Sequence, residues 1–146
     1  MSEKTAHVRW EGRGKAGLGK ISTPQTDALK DYPYGFATRF GNDRTGSNPE
    51  ELLAAAHAAC FTMAFSFACD KAGFATNKID TQASVHLKAE DGGFLIDRIA
   101  LVLHATVPGI DEAQFQSLVE GAKTDCPLSK ALAGVPQISL QAVLNP

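Results

Sequence analysis

Three cysteines, at positions 60, 69 and 126, are the side chains of this chain best suited to covalent chemistry. A thiolate is a strong nucleophile at neutral pH, whereas a thiol is not, so the surroundings of each cysteine decide its use. Cys60 falls in the middle of a long apolar segment. Cys69 follows nine residues later, and at about 100° per helical residue the two point to opposite faces and make no natural pair. Cys126 stands before Pro127, at the joint of two expected helices, where a helix N-terminus lowers a thiol pKa. Each of the three also reads as a small buried hydrophobe, and for Cys69 that is the preferred reading.

Other chemistries fit less well. There is no CxxC and no close pair of metal ligands. His57 and Cys60 share a helix face, and zinc there would need Cys126 with His86 or His104 as remote ligands. A Cys–His hydrolase would use His57 as base, but that histidine sits within one helical turn of Cys60 and has no orienting carboxylate in view. A satisfied core or interface histidine is the alternative for His57, and a partner tuning the Cys60 thiolate is another. The stretch from Gly12 to Gly19 lacks both GxGxxG and a following helix, so it has no phosphate-binding form.

The composition sets the frame for this chemistry. A chain of 146 residues, 44% hydrophobic and 21% charged, suits one ordered domain spanning residues 1–146. The net charge is −2, with no basic stripe. That argues against nucleic acid and against an anionic membrane as partners. Met1–Thr5 has no apolar stretch behind it, and the expected compartment is the cytoplasm. There a disulfide is transient and catalytic rather than structural.

Several elements must position the thiols. Val8 and Trp10 alternate with polar residues ahead of the glycine-rich stretch, as in a hairpin, and Tyr34 to Phe40 is expected to form another short strand. The strongest helix signal runs from about Pro49 to Ala72, with Asn48 as N-cap, Glu51 closing a capping box and Gly73 following its end. This rod of roughly 24 residues, near 36 Å long, is apolar almost all round from Leu52 to Cys69. Its length approaches that of a membrane span, but its alanine content and its place within an otherwise polar chain favour a core helix.

A hairpin follows, with Ile79 to Leu87 alternating, a turn at Glu90–Gly93, and a phase slip near Asp97–Arg98 that marks a β-bulge. Asp111 caps a second helix with an apolar stripe from Phe115 to Ala122, Pro127 starts a short third helix through Ala133, and Ile138 to Leu144 alternate as a last strand. The expected fold is α+β, an antiparallel sheet packed on a long, central, buried helix. A helix buried on all sides needs cover on all sides. One sheet covers one face, so a second copy of the chain is expected to cover the other, giving a homodimer.

The segment Asn48-Pro49-Glu50-Glu51-Leu52, followed by Ala55-Ala56-His57-Ala58-Ala59-Cys60-Phe61, resembles the signature of the OsmC/Ohr family, the osmotically inducible and organic hydroperoxide resistance proteins. Tyr34-Gly35-Phe36-Ala37-Thr38-Arg39-Phe40 is similar to the family's arginine segment. Ala122-Lys123-Thr124-Asp125-Cys126-Pro127-Leu128-Ser129 is similar to its second cysteine motif. The resemblance covers nearly the whole chain, and His57 before Ala58-Ala59-Cys60 points to the OsmC branch. It implies an intertwined homodimer with sites at the subunit interface, and a thiol peroxidase that reduces organic hydroperoxides to alcohols. By the motifs, Cys60 attacks peroxide and becomes a sulfenic acid, Cys126 resolves it as a Cys60–Cys126 disulfide, and Arg39 and Glu50 support the thiolate. No cofactor or metal is implied beyond an external dithiol reductant. Cys69 lies outside the pattern, and Glu51 and His57 inherit no assigned role.

The residue types suit that chemistry. Burial on an apolar helix raises a thiol pKa, so a lasting cation is needed, and arginine keeps its charge. Glu50 can hold the guanidinium with two hydrogen bonds, although helix N-terminal charge is a second use for it. Phe36, Phe40, Phe61 and Met63 are expected to line an apolar pocket that favours organic hydroperoxides. Glu50 and Cys60 stand ten residues apart, about 15 Å along one helix, so a thiolate bridged by Arg39 to Glu50 is expected to come from the other subunit. The rival reading is a non-enzymatic dimeric binding protein with the same fold.

Overall fold

A computed structural model describes residues 2–146. The chain divides into two compact units, one ending at Leu52 and the other running from Leu53 to Pro146.

The first unit is built on an antiparallel meander of β1 (His7–Glu11), β2 (Leu18–Ser22) and β3 (Tyr32–Gly35). Two glycines of the glycine-rich stretch have a packing purpose. A Cβ on Gly17 would overlap the Trp10 indole, and one on Gly19 would overlap the Tyr34 ring. Their bare backbone lets both rings lie across β2, with ring centroids 5.6 Å apart.

The strand expected through Phe40 stops at Gly35. Helix α1 (Phe36–Phe40) replaces its second half. The cause is local: the Thr38 hydroxyl accepts from the Gly35 N–H at 2.9 Å and donates to the Gly35 carbonyl at 3.1 Å, closing a turn that alternation cannot reveal.

Helix α2 (Pro49–Lys71) begins as expected, with the Asn48 side chain accepting from the Glu51 N–H at 2.8 Å. The capping box is only half built, because the Glu51 carboxylate accepts from the Ser47 hydroxyl instead. The larger departure is in burial. The helix is apolar on every side, yet only the stripe His57, Phe61, Phe65 and Cys69 is buried in the single chain. Met63 and Phe67, on another face, are 59% and 66% exposed. This helix is long and apolar enough to cross a membrane by length and composition, but its stripe is in a protein core. Phe65 meets Phe115 edge to face at 5.6 Å, and each such buried ring contributes about 1.5–3 kcal/mol.

The second sheet contains β4 (Lys78–Glu90), β5 (Gly93–Thr106) and β6 (Gln137–Leu144). Asp91-Gly92 turns the β4–β5 hairpin, with Gly92 at φ 85° where a Cβ is disfavoured. The bulge falls where the phase slip placed it: His86 pairs with Arg98 and Leu87 with Ile96, leaving Asp97 unpaired in the ladder. The Asp97 carboxylate lies 2.6 Å from His86 Nδ1. Hydrogen bonding to His86 holds Asp97 below the usual carboxylate range.

On one face, Val85, Ile99 and Ile138 align across the three strands, as do Ala83, Leu101 and Leu140. Strand β5 is central, and its Ile99, Leu101, Leu103 and Ala105 are buried. The sheet is mixed rather than wholly antiparallel, because β6 runs parallel to β5. The chain reaches β6 through α3 (Glu112–Asp125) and α4 (Pro127–Ala131), a connection long enough to reverse its direction. The Asp111 side chain caps α3 by accepting from the Gln114 N–H at 2.8 Å, and Phe115, Val119 and Ala122 are its buried stripe.

Candidate active site

Cys60 lies on α2 beside the buried stripe and is partly exposed, whereas Cys126 is fully buried. Cys126 joins two helices. Its N–H closes α3 on the Ala122 carbonyl at 2.9 Å, and its own carbonyl accepts from the Lys130 N–H at 3.1 Å to open α4. Pro127, in the first position of α4, fixes that bend. The fold thereby brings together two thiols 66 residues apart, with Sγ atoms separated by 3.0 Å.

The electrostatics of the pair are unequal. Burial pushes the Cys60 thiol up, and its hydrogen bond with Cys126 pushes it further, against a Leu128 N–H that favours the thiolate. Burial also pushes Cys126 up, but hydrogen bonding with Cys60, with the Ser129 backbone and side chain, and with the Leu128 backbone outweighs it and lowers Cys126 overall. With only five residues, α4 has little macrodipole to offer. The individual groups around the sulfur, rather than the helix as a whole, lower the Cys126 pKa.

Arg39 and Glu50 also meet. Arg39 Nε lies 3.2 and 3.1 Å from the two Glu50 carboxylate oxygens, and Nη2 lies 2.5 Å from Oε1. This multiply bonded pair fixes the guanidinium plane. The hydrogen bond to Glu50 raises the Arg39 pKa further. The guanidinium stands 5.2 Å from the centre of the Phe40 ring. It borders a cavity of about 270 Å³ whose walls include Trp10, Tyr34, Phe36 and Phe40. Phe36 and Phe40 therefore line a pocket as expected. Phe61 does not, because it is fully buried in the core.

Cys69 is buried between α2 and the sheet, and burial alone pushes its pKa up. The hydrolase alternative loses its base: His57 Nε2 faces Ser129 Oγ at 2.9 Å rather than Cys60. Among the described residues, no three His, Cys, Asp or Glu side chains are placed to hold a metal ion, and the remote zinc candidate His86 is engaged with Asp97. Ser129 is the residue that sequence reasoning left without a role. Its signal was its spacing, three positions after the cysteine that opens α4.

Comparisons with known proteins give the family. The OsmC-like protein family matches residues 41–141. Peroxiredoxin OsmC of Escherichia coli is 47% identical over 129 residues, covering 88% of this chain and 89% of that protein. The organic hydroperoxide resistance protein of Xanthomonas axonopodis pv. citri is 35% identical over 138 residues, covering 93% and 92%. Among solved structures, OhrB of Bacillus subtilis superposes with a TM-score of 0.66 at 30% identity, covering 97% of this chain and 98% of that one. An organic hydroperoxide resistance protein OsmC from Legionella pneumophila does so at 0.71 and 25% identity, covering 99% and 100%. With the motifs, the fold and close relatives in accord, this chain belongs to the OsmC-like family.

Proposed function

We propose that the protein is a cytoplasmic, homodimeric thiol peroxidase that reduces organic hydroperoxides with Cys60 and is reset by an external dithiol. The names of its relatives, peroxiredoxin OsmC and organic hydroperoxide resistance protein, support a peroxide-related redox role. The observation that carries the finer reading is the 3.0 Å approach of Cys60 and Cys126. In the reaction, the Cys60 thiolate attacks the distal peroxide oxygen. The O–O bond breaks, an alkoxide leaves and takes a proton to become the alcohol, and Cys60 is left as sulfenic acid. Cys126 then displaces hydroxide to form the disulfide. No cofactor enters these steps.

Burial alone disfavours a Cys60 thiolate, so the guanidinium of Arg39 supplies the missing charge and receives the leaving alkoxide. Ten helical residues, about 15 Å, separate Glu50 from Cys60 along α2, which supports a site in which the Arg39–Glu50 pair serves the thiolate of a second copy. The exposed Met63 and Phe67 on α2 support the same assembly, being an apolar helix face that the single chain leaves uncovered. Sedimentation at micromolar concentration is expected to give a dimer. A stable monomer would remove the shared site.

The test of the function is turnover of cumene hydroperoxide with dithiothreitol, in the native protein and in Arg39→Met. The native protein is expected to turn over. The variant is expected to lose about 100-fold or more, the scale of losing one strong charge-stabilising group. The half-point of Cys60 alkylation should move to higher pH in the variant, because a cation that lowers a thiol pKa has been removed. A native protein that consumes no hydroperoxide would leave a binding protein as the reading. An unchanged half-point would take Arg39 out of its role.

A further inference from the structure

His57 has no part in the steps just described, yet it is fully buried on α2. Its Nε2 lies 2.9 Å from Ser129 Oγ on α4, and its Nδ1 is buried with no hydrogen-bond partner. Ser129 is therefore the ring's single polar tie among the described residues. The tie stands in a regular relation to the thiol pair. On α2, His57 precedes Cys60 by three residues, and at the start of α4, Ser129 follows Cys126 by three. Residues three apart share a helix face and are separated by a rise of about 4.5 Å. The contacts His57–Ser129 and Cys60–Cys126 are thus two adjacent rungs, running in opposite order between the same two elements. The Lys130 N–H donates to the Cys126 carbonyl at 3.1 Å and closes the turn that joins the α4 ends of both rungs.

Apolar packing alone sets the place of α4 on α2 loosely. Leu128 and Leu132 pack against the core, but apolar contact is non-directional and tolerates a small slide. A buried polar pair does not. A slide that parts Ser129 from His57 leaves a buried ring with no partner at either nitrogen, and an orphaned buried group is a larger loss than the bond itself is a gain. The same slide carries Cys126 away from Cys60, because one helical turn holds Ser129 and Cys126 together. Resting on the reading of Cys60 and Cys126 as a redox pair, we infer that His57 and Ser129 are its positioning residues: their hydrogen bond sets where α4 sits on α2 and so holds Cys126 within bonding reach of Cys60. Neither residue touches the reacting peroxide in this role. Each acts through the placement of a sulfur.

The test is the equilibrium of the thiol pair with glutathione, which is read whether or not the protein consumes hydroperoxide. Cys60 and Cys126 together lose two protons and two electrons as their S–S bond forms, and one oxidised glutathione is split into two reduced ones. The equilibrium constant reports how well the fold presents one thiol to the other. Acid quench, alkylation and peptide mapping give it for the Cys60–Cys126 link. Ser129→Ala is expected to lower the constant about tenfold, the scale of one buried hydrogen bond. Ser129→Thr, which keeps the hydroxyl, should return it to within about twofold of native. His57→Leu should match Ser129→Ala, and the double variant should lose no more than either single one, because both changes remove the same contact. Cys69→Ala, a core change on the same helix, should leave the constant at its native value, which separates placement of Cys126 from general loss of stability. If His57→Leu does not fold, the two Ser129 variants and Cys69→Ala decide alone. A native constant in Ser129→Ala, an equal fall in Cys69→Ala, losses in the double variant that multiply to about a hundredfold, or a native chain that forms no Cys60–Cys126 disulfide would overturn the inference.

Discussion

Cys60→Ser is expected to have no measurable hydroperoxide turnover while keeping its fold. A serine hydroxyl ionises far above neutral pH, and His57, one helical turn away, is held by Ser129 and is not free to activate it. The substitution is nearly isosteric at a partly exposed site, so stability should change little. Cys69→Ala is the matched control. It removes a fully buried sulfur from the core and should cost about 1 kcal/mol of stability, yet turnover at a temperature well below its melting point should stay near native. Hydroperoxide consumption coupled to dithiothreitol, alongside thermal melts of both variants, decides the matter. Turnover surviving in Cys60→Ser would end the assignment of the attacking thiol. Turnover lost in a folded Cys69→Ala would show that a second thiol of α2 is used.

Cys126→Ser is expected to consume one equivalent of hydroperoxide per chain and then stop. The first step needs only the Cys60 thiolate, so it survives, but the sulfenic acid has lost the thiol that stands 3.0 Å away. Left uncaptured, it is oxidised by further peroxide to sulfinic acid, which a dithiol does not reverse. Intact-mass measurement should show the chain gaining one oxygen and then a second as peroxide is added. In the native protein the same titration should instead yield a Cys60–Cys126 link within one chain. Continued turnover in Cys126→Ser, or a native disulfide joining Cys60 to Cys69 or to its copy in another chain, would contradict the assigned pairing.

What the sequence reveals and what it conceals follow from how local each cause is. The Asn48 cap, the Asp91-Gly92 turn and the bulge at Asp97 act over a few residues, and each left a readable mark in the spacing of polar and apolar side chains. The break at Gly35 is equally local but depends on one hydroxyl choosing the backbone as its partner, a choice that the alternation of Tyr34 and Phe36 does not show. The direction of β6 was hidden for another reason: alternation marks a buried face identically in parallel and antiparallel strands. The apolar girth of α2 was legible, but a single chain cannot show what covers Met63 and Phe67. Of the site, Arg39, Glu50 and Cys126 were reached through motif resemblance. Their pairings came with that resemblance and not from spacing, since Cys60 and Cys126 are separated by 66 positions. Ser129 stayed silent because its partner, His57, stands 72 positions earlier.

The parallel pairing of β5 with β6 also bears on when in folding the protein acquires its chemistry. The β4–β5 hairpin closes over a two-residue turn and is cheap to nucleate, whereas β6 pairs with residues about forty positions earlier and must pay a larger loop-closure entropy first. Cys126 travels in that late-closing crossover, and α3 is tied to β6 by the Gln116 side chain donating to the Ala142 carbonyl at 3.0 Å. A chain that has made its hairpin but not its last strand holds Cys60 and Cys126 as two unrelated thiols, without the short approach on which the proposed redox couple depends. On the proposed function, peroxidase competence is then a property of the finished topology, and an incompletely folded chain lacks it.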